Sequence, residues 1–133
     1  MKLHARPLFI SIVDDELDLG MLFKDILSTI TGVQSLCFSD AKLALEHFGM
    51  NNGNYLLVIS DYRMPGMNGI ELLTKIRELD SNVRTILMSA FEVTEDMFLD
   101  CKCVDKMLQK PIHTSKLLSE VNLLLKSLQP ALN

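Results

Sequence analysis

The sequence predicts an α/β fold, a doubly wound parallel sheet with helices on both faces. Strand-like runs alternate with helical patterns from one end of the chain to the other, the arrangement that builds a parallel sheet covered on both sides. Two of the runs, Leu8 to Val13 and Tyr55 to Ser60, are largely apolar, and both stop on carboxylates, Asp14-Asp15 and Asp61. The 133 residues, 48% of them hydrophobic, suffice for one ordinary domain with a real core. No repeat, low-complexity tract or linker divides them, so a single domain over residues 1–133 is expected, with its core at about 8–128.

Leu8 to Val13 is the first strand and leads into a helix over Leu17 to Ile30, where Leu19, Leu22, Phe23, Ile26, Leu27 and Ile30 mark one apolar face. Gly32 closes it. Gln34 to Phe38 is a second strand, after which Ser39 and Asp40 offer side-chain oxygens to cap a helix carrying Ala41, Ala44, Leu45 and Phe48. Asn51-Asn52-Gly53-Asn54 is a turn. The third strand, Tyr55 to Ser60, meets Asp61, and the loop beyond holds Pro65-Gly66 and Asn68-Gly69 ahead of a helix through Ile70, Leu72, Leu73, Ile76 and Leu79. Arg84 to Met88 is the fourth strand, ending on Ser89-Ala90. Val93, Met97, Phe98 and Cys101 keep helical spacing, which predicts a helix over Thr94 to Lys102. A short fifth strand, Lys106 to Gln109, meets Lys110-Pro111, and the last helix runs from Thr114 to Leu128 on Leu117, Leu118, Val121, Leu124, Leu125 and Leu128. The tail from Gln129 to Asn133 is expected to fray.

Thirteen basic residues against seventeen acidic ones give a net charge of −4, with no arginine-lysine cluster to follow a phosphate backbone, so direct nucleic-acid binding is not expected. No apolar stretch is long enough to span a bilayer, and the N-terminal run reaches Asp14 before it could serve as a signal-peptide core. A cytoplasmic protein without membrane insertion is the expectation. Cys37, Cys101 and Cys103 cannot all pair within one chain and are expected to be free thiols. Cys101-Lys102-Cys103 with His113 matches no common zinc spacing and reads as small buried hydrophobes.

In an open parallel sheet the ligand crevice lies outside the carboxyl ends of the strands. Strand ends one, three, four and five carry Asp14-Asp15, Asp61, Ser89 and Lys110. Clustered carboxylates repel one another unless a cation sits among them, and hard oxygen ligands favour Mg²⁺ or a like ion such as Mn²⁺. Phosphate chemistry is the usual reason to hold one. Asp61 is then a candidate nucleophile toward phosphorus, because a carboxylate forms an aspartyl phosphate when a metal and donors neutralise the developing charge. Ser89 and Lys110 could hold the phosphoryl oxygens. Singly, each position has an ordinary reading: a helix start for Asp14-Asp15, a turn residue for Asp61, a cap for Ser89, a solvated lysine for Lys110. Jointly, four strand ends would each have to show the right chemical type by accident.

Ile12-Val13-Asp14-Asp15-Glu16, then Ser60-Asp61-Tyr62-Arg63-Met64-Pro65-Gly66-Met67-Asn68-Gly69, then Met88-Ser89-Ala90 and Lys110-Pro111 resemble the receiver domain of two-component response regulators. The resemblance runs over nearly the whole chain, and the Asp-x-x-Met-Pro-x-Met-x-Gly stretch is highly specific. It implies a single-domain (βα)5 flavodoxin-like sandwich with a parallel five-stranded sheet of order 2-1-3-4-5. It implies further that Asp61 is the phosphoacceptor for a phosphoryl group from a sensor histidine kinase or a histidine phosphotransfer protein. Mg²⁺ would be held by Asp15 directly, Asp14 largely through water, Asp61 itself and the backbone carbonyl of Arg63. Lys110 would pair with the phosphoryl oxygens and Ser89 would swing in to hydrogen-bond one of them. Ala90, Phe91, Met107 and Pro111 fall at switch and tuning positions, with Arg63 and Phe91 flanking the acceptor and the hydroxyl, and the Lys110-Pro111 bond is implied to be cis.

Two departures from the family's pattern stand out: Met107 occupies a position usually held by Tyr or Phe, and Cys101-Lys102-Cys103-Val104 stands where a Gly-Ala pair is common. The resemblance implies a phosphorylated signalling domain rather than an enzyme, beyond its own phosphorylation and dephosphorylation. In the family the surface of the fourth helix, fifth strand and last helix carries the output, and the resemblance implies the same surface here. That output would reach another protein, a second copy in a homodimer, or an effector domain outside this sequence. Phosphorylation would bias two packings of that surface. One alternative is a docking module that is never phosphorylated, which Met107 favours. Another is a small phosphohydrolase of the haloacid dehalogenase type. That signature places its two aspartates two apart, whereas Glu16 stands two after Asp14, and the chain has no room for a substrate-selecting cap.

Overall fold

The apolar runs become five parallel strands, β1 (Leu8–Val13), β2 (Val33–Phe38), β3 (Tyr55–Asp61), β4 (Arg84–Ser89) and β5 (Lys106–Gln109), hydrogen-bonded in the order β2-β1-β3-β4-β5. The computed structural model describes residues 7–90 and 102–128. Among these, four helices cover the sheet: α1 (Leu17–Leu27), α2 (Ala41–Met50), α3 (Gly69–Leu79) and a C-terminal helix (Thr114–Lys126). Both the doubly wound class and the 2-1-3-4-5 order are as expected. Of the helix expected over Thr94 to Lys102, all but Lys102 lies outside the described residues, as does Phe91, and Lys102 sits in a turn.

Alternate residues of each strand face opposite sides of the sheet, and each side closes a core. Ile10, Ile12, Leu57, Ile59, Ile86, Met88 and Leu108 pack against Phe23 and Leu27 of α1 and against Leu117 and Val121 of the C-terminal helix. On the other side Val13, Val58 and Leu87 meet Ala41, Ala44 and Phe48 of α2 and Leu72, Leu73 and Ile76 of α3. Each fully buried large aliphatic or aromatic side chain contributes about 1.5–3 kcal/mol. Strands clamped on both faces in this way hold their carboxyl ends in fixed relation to one another.

Element ends depart from the sequence pattern where hydroxyls intervene. α1 stops at Leu27 rather than Ile30, because Thr29 and Ile30 donate only three residues back, to the carbonyls of Ile26 and Leu27. The hydroxyls of Ser28 and Thr29 give to the carbonyls of Asp25 and Ile26, competing with the helix ladder. Gly32, at φ +83, then turns the chain. The C-terminal helix ends at Lys126 in the same manner, with the Ser127 hydroxyl on the Leu124 carbonyl. At the functional rim the change runs the other way. β3 and β4 each continue one residue further than expected, so Asp61 pairs with Met88 and Ser89 pairs with Gln109 as the last rungs of their ladders.

Cys37 is a free thiol. Cys103 is half of a disulfide, which corrects the expectation of three free thiols; Cys103 is also buried, as expected, and Cys101 lies outside the described residues. Among the described residues no helix is long and apolar enough to cross a membrane.

Candidate functional site

The site grows from four strand ends. Asp14 follows β1 directly, is wholly buried, and accepts the Glu16 N–H on Oδ1 at 2.9 Å, a tight turn that starts α1 without a side-chain cap. Asp61 closes β3 and is 7% exposed. Its neighbour Tyr62 donates its N–H to the Met88 carbonyl at 2.7 Å. Gly69, at the start of α3, is buried against this turn and donates to the Tyr62 carbonyl at 2.7 Å. A Cβ on Gly69 would collide with the Asp61 carbonyl oxygen and crowd Leu87 Cδ1. Lys110 follows β5, donates its N–H to the Ser89 carbonyl at 2.7 Å, and precedes the cis bond to Pro111.

Oxygens of Asp14, Asp15 and Asp61 lie within 4.8 Å of one another. Lys110 Nζ stands 3.3 Å from Asp14 Oδ2, 3.3 Å from Asp61 Oδ1 and 3.6 Å from Glu16 Oε1. One ammonium does not balance these acids. Burial, aided by the charge of Asp14 and opposed by Lys110, pushes the Asp61 carboxyl up to about 6. Burial likewise raises Asp14, against the Glu16 N–H and Lys110. Burial alone would lower Lys110, but Asp14 and Asp61 outweigh it and raise the ammonium. The surplus of buried negative charge and the all-oxygen donor set fit a hard divalent cation such as Mg²⁺.

Asp15, Glu16, Asp61, Arg63, Ala90 and Lys110 line a cavity of about 310 Å³ that opens the cluster to solvent. A cleft lined by Leu8, Ile30, Val33, Leu56 and Leu125, about 430 Å³, lies by the opposite strand ends and holds one charged side chain, Lys126. Ser89 is 1% exposed, and its Oγ has no hydrogen-bond partner among the described residues. An orphaned buried hydroxyl costs about 1–3 kcal/mol unless something occupies it, so this one is free to receive a ligand oxygen.

The structure thus brings together Asp14, Asp15, Asp61, Lys110, Arg63 and Ala90. Met107 is half-buried against the α2/α3 core, and Pro111 is exposed beside Lys110. Two participants carried no functional expectation from the sequence. Glu16 adds a third carboxylate to Lys110, a role its place after an acidic pair could have suggested. Gly69 is needed for close packing, for which its fixed spacing from Asp61 was the available signal.

A profile of the response regulator receiver domain family matches residues 10–122. The transcriptional regulatory protein CpxR homolog of Haemophilus influenzae is 32% identical over 116 residues, which cover 86% of this chain and 49% of that protein. Sporulation initiation phosphotransferase F of Bacillus subtilis is 32% identical over 82 residues, 62% of this chain and 64% of that protein. The chain therefore spans less than two thirds of the length of these relatives. A crystal structure of a response regulator receiver domain protein from Clostridium thermocellum superposes with a TM-score of 0.83 over 93% of this chain and 98% of that one, at 22% identity, a likeness of fold. The family's pattern extends across most of the sequence, from within the first strand into the last helix, and the chain belongs to the receiver domains of two-component response regulators.

Proposed function

We propose that this domain takes a phosphoryl group from a phosphohistidine of a sensor kinase or histidine phosphotransfer protein onto Asp61 in a Mg²⁺-dependent step. The observation that carries this reading is the convergence of Asp14, Asp15, Asp61, Lys110 and the unpartnered Ser89 hydroxyl from four strand ends. An Asp61 carboxylate oxygen forms the new bond to phosphorus while the phosphorus–nitrogen bond of the donor breaks, and the imidazole nitrogen leaves with the electron pair and takes up a proton. Lys110, already within 3.3 Å of Asp61, neutralises a phosphoryl oxygen. Ser89 donates its hydroxyl to another. Mg²⁺, held by Asp14, Asp15, Asp61 and the Arg63 carbonyl, would supply charge neutralisation and alignment. Positioning and charge neutralisation provide most of the rate in such transfers.

The resulting acyl phosphate is read through a shift in the surface that includes β5 and the C-terminal helix, with Met107 repacking where the family more often has an aromatic. Ala90, Arg63, Phe91 and Pro111 tune the lifetime and the switch. The receiver unit extends over a core of residues 8–128 and works in the cytoplasm, passing its signal to a downstream protein or effector domain. Incubation with acetyl phosphate and Mg²⁺, with phosphorylation followed by intact mass, tests the reading. Labelling of the wild type and none of Asp61→Asn is expected; equal labelling of both would reject the assignment, and no labelling of either would favour a docking module.

A further inference from the structure

The strand that delivers Lys110 is the least anchored in the sheet. β5 has four residues, is paired on one side only among the described residues, and buries only Leu108, with Lys106 and Gln109 exposed and Met107 half-buried. Burial of one face is what normally fixes register, and β5 has little of it. A slip of one residue would carry Lys110 about 3.3 Å along the sheet and reverse its face. That equals the full length of its contacts with Asp14 and Asp61, 3.3 Å each.

A polar knot stands at the entrance to this strand. Asp105 Oδ2 accepts from the Thr85 N–H at 2.9 Å and from Arg77 Nη2 at 2.7 Å. Thr85 Oγ1 accepts from Arg77 Nη2 at 3.2 Å and from the Asp105 N–H at 3.1 Å, and donates to the Cys103 carbonyl at 2.5 Å. Arg77 Nη1 donates to the Lys102 carbonyl at 3.2 Å. The hydroxyl of the fully buried Thr85 therefore has its one donor and two acceptor positions filled. The knot joins the end of α3, the start of β4 and the residue before β5. Neither neighbour of Thr85 on β4, Arg84 or Ile86, offers a hydroxyl, so a slipped Asp105 would leave a buried donor and a charge unmatched.

We propose that Asp105, with Arg77 and Thr85, is a register lock whose task is to set where Lys110 meets the phosphoryl oxygens. These are positioning residues, since none of the three lines the cavity. The inference rests on the roles given above to Asp61 and Lys110. The clustered carboxylates sit at the carboxyl ends of β1 and β3, away from the knot, so its loss should separate two properties that a general loosening would lower together.

The test compares wild type, Asp105→Ala, Arg77→Met, Lys110→Ala and the Lys110→Ala/Asp105→Ala double variant, using Mg²⁺ titration, beryllofluoride affinity and acetyl phosphate labelling, with Asp61→Asn as control. For Asp105→Ala the expected result is a labelling rate and beryllofluoride affinity lowered on the order of tenfold, with the Mg²⁺ Kd within about twofold of wild type. The double variant should label no more slowly than Lys110→Ala, because register has nothing left to place. Should Asp105→Ala fail to fold by circular dichroism, Arg77→Met, which leaves the Asp105–Thr85 bonds, should show a smaller loss of the same kind. A folded variant that labels at the wild-type rate, loses Mg²⁺ affinity in step with labelling, or adds its loss in full to that of Lys110→Ala would overturn the lock. Failure of the underlying reading looks different: wild type and Asp61→Asn would then label alike, and the lock would fall with it.

Discussion

Asp61 meets two opposed demands. On the proposed reading it has to be ionised to attack phosphorus, yet burial and the charge of Asp14 push it up to about 6, so at neutral pH the folded chain holds a carboxylate that the unfolded chain would solvate better. Because the folded value lies above the ordinary 3.8, the folded state binds the proton more tightly than the unfolded one. The destabilisation is complete above about pH 6 and fades as the pH falls toward about 4. A tenfold change in proton affinity corresponds to about 1.4 kcal/mol, which puts the cost at about 3 kcal/mol. Asp61→Asn is therefore expected to be more stable than wild type in EDTA at about pH 7.5, by on the order of 2 kcal/mol, with the gap closing between about pH 6 and 4. Urea unfolding across that range checks it, and a gap that stays constant with pH would assign the gain to packing instead. Asp14, Asp15, Asp61, Ser89 and Lys110 were legible in the sequence because each ends a strand, and strand ends are where an open sheet gathers its ligands. Arg77, Thr85 and Asp105 were not, since side chains that meet across three elements leave no local pattern.

The loop between β3 and α3 is governed by two residues with separable duties. Asn68 Oδ1 accepts from the Glu71 N–H and Glu71 Oε1 accepts from the Asn68 N–H, both at 2.9 Å, a capping box that starts α3. Gly69, one residue later, lets the helix press against the backbone of Asp61. Asn68→Ala is expected to cost about 1 kcal/mol of stability and to leave labelling of Asp61 near its wild-type rate. Gly69→Ala is expected to cost about 1–3 kcal/mol through overpacking and also to slow labelling, because the Asp61 carbonyl must move to admit the methyl group. Urea melts paired with acetyl phosphate kinetics distinguish the two. Wild-type labelling by folded Gly69→Ala would show that the loop relaxes without disturbing the acceptor. The elements themselves were legible from periodicity, but their ends were not where serine and threonine hydroxyls compete for the last carbonyls, as at Ser28, Thr29 and Ser127.

At the scale of the molecule, alternation of strand and helix was enough to specify a parallel sheet with two covered faces, but not which strands are neighbours. Periodicity says which side chains share a face; the order β2-β1-β3-β4-β5 followed only from the resemblance carried by the motif residues. That order is what makes the site a property of the whole fold, because β1 and β3 adjoin and bring Asp14, Asp15 and Asp61 together from positions far apart in sequence. An unfolded chain has no such cluster, so an ion bound there stabilises the fold by RT ln(1 + [Mg²⁺]/Kd), about 1.4 kcal/mol for each tenfold rise above Kd. Global unfolding followed by far-UV circular dichroism is expected to show a midpoint that climbs linearly with the logarithm of Mg²⁺ concentration and returns to its starting value on adding EDTA. In Asp61→Asn the slope is expected to begin at higher Mg²⁺, because one charged ligand is gone while Asp14 and Asp15 remain. A wild-type midpoint indifferent to Mg²⁺ would mean that the carboxylates gathered at this rim do not close around an ion, and the phosphoryl chemistry assigned to Asp61 would lose its physical basis.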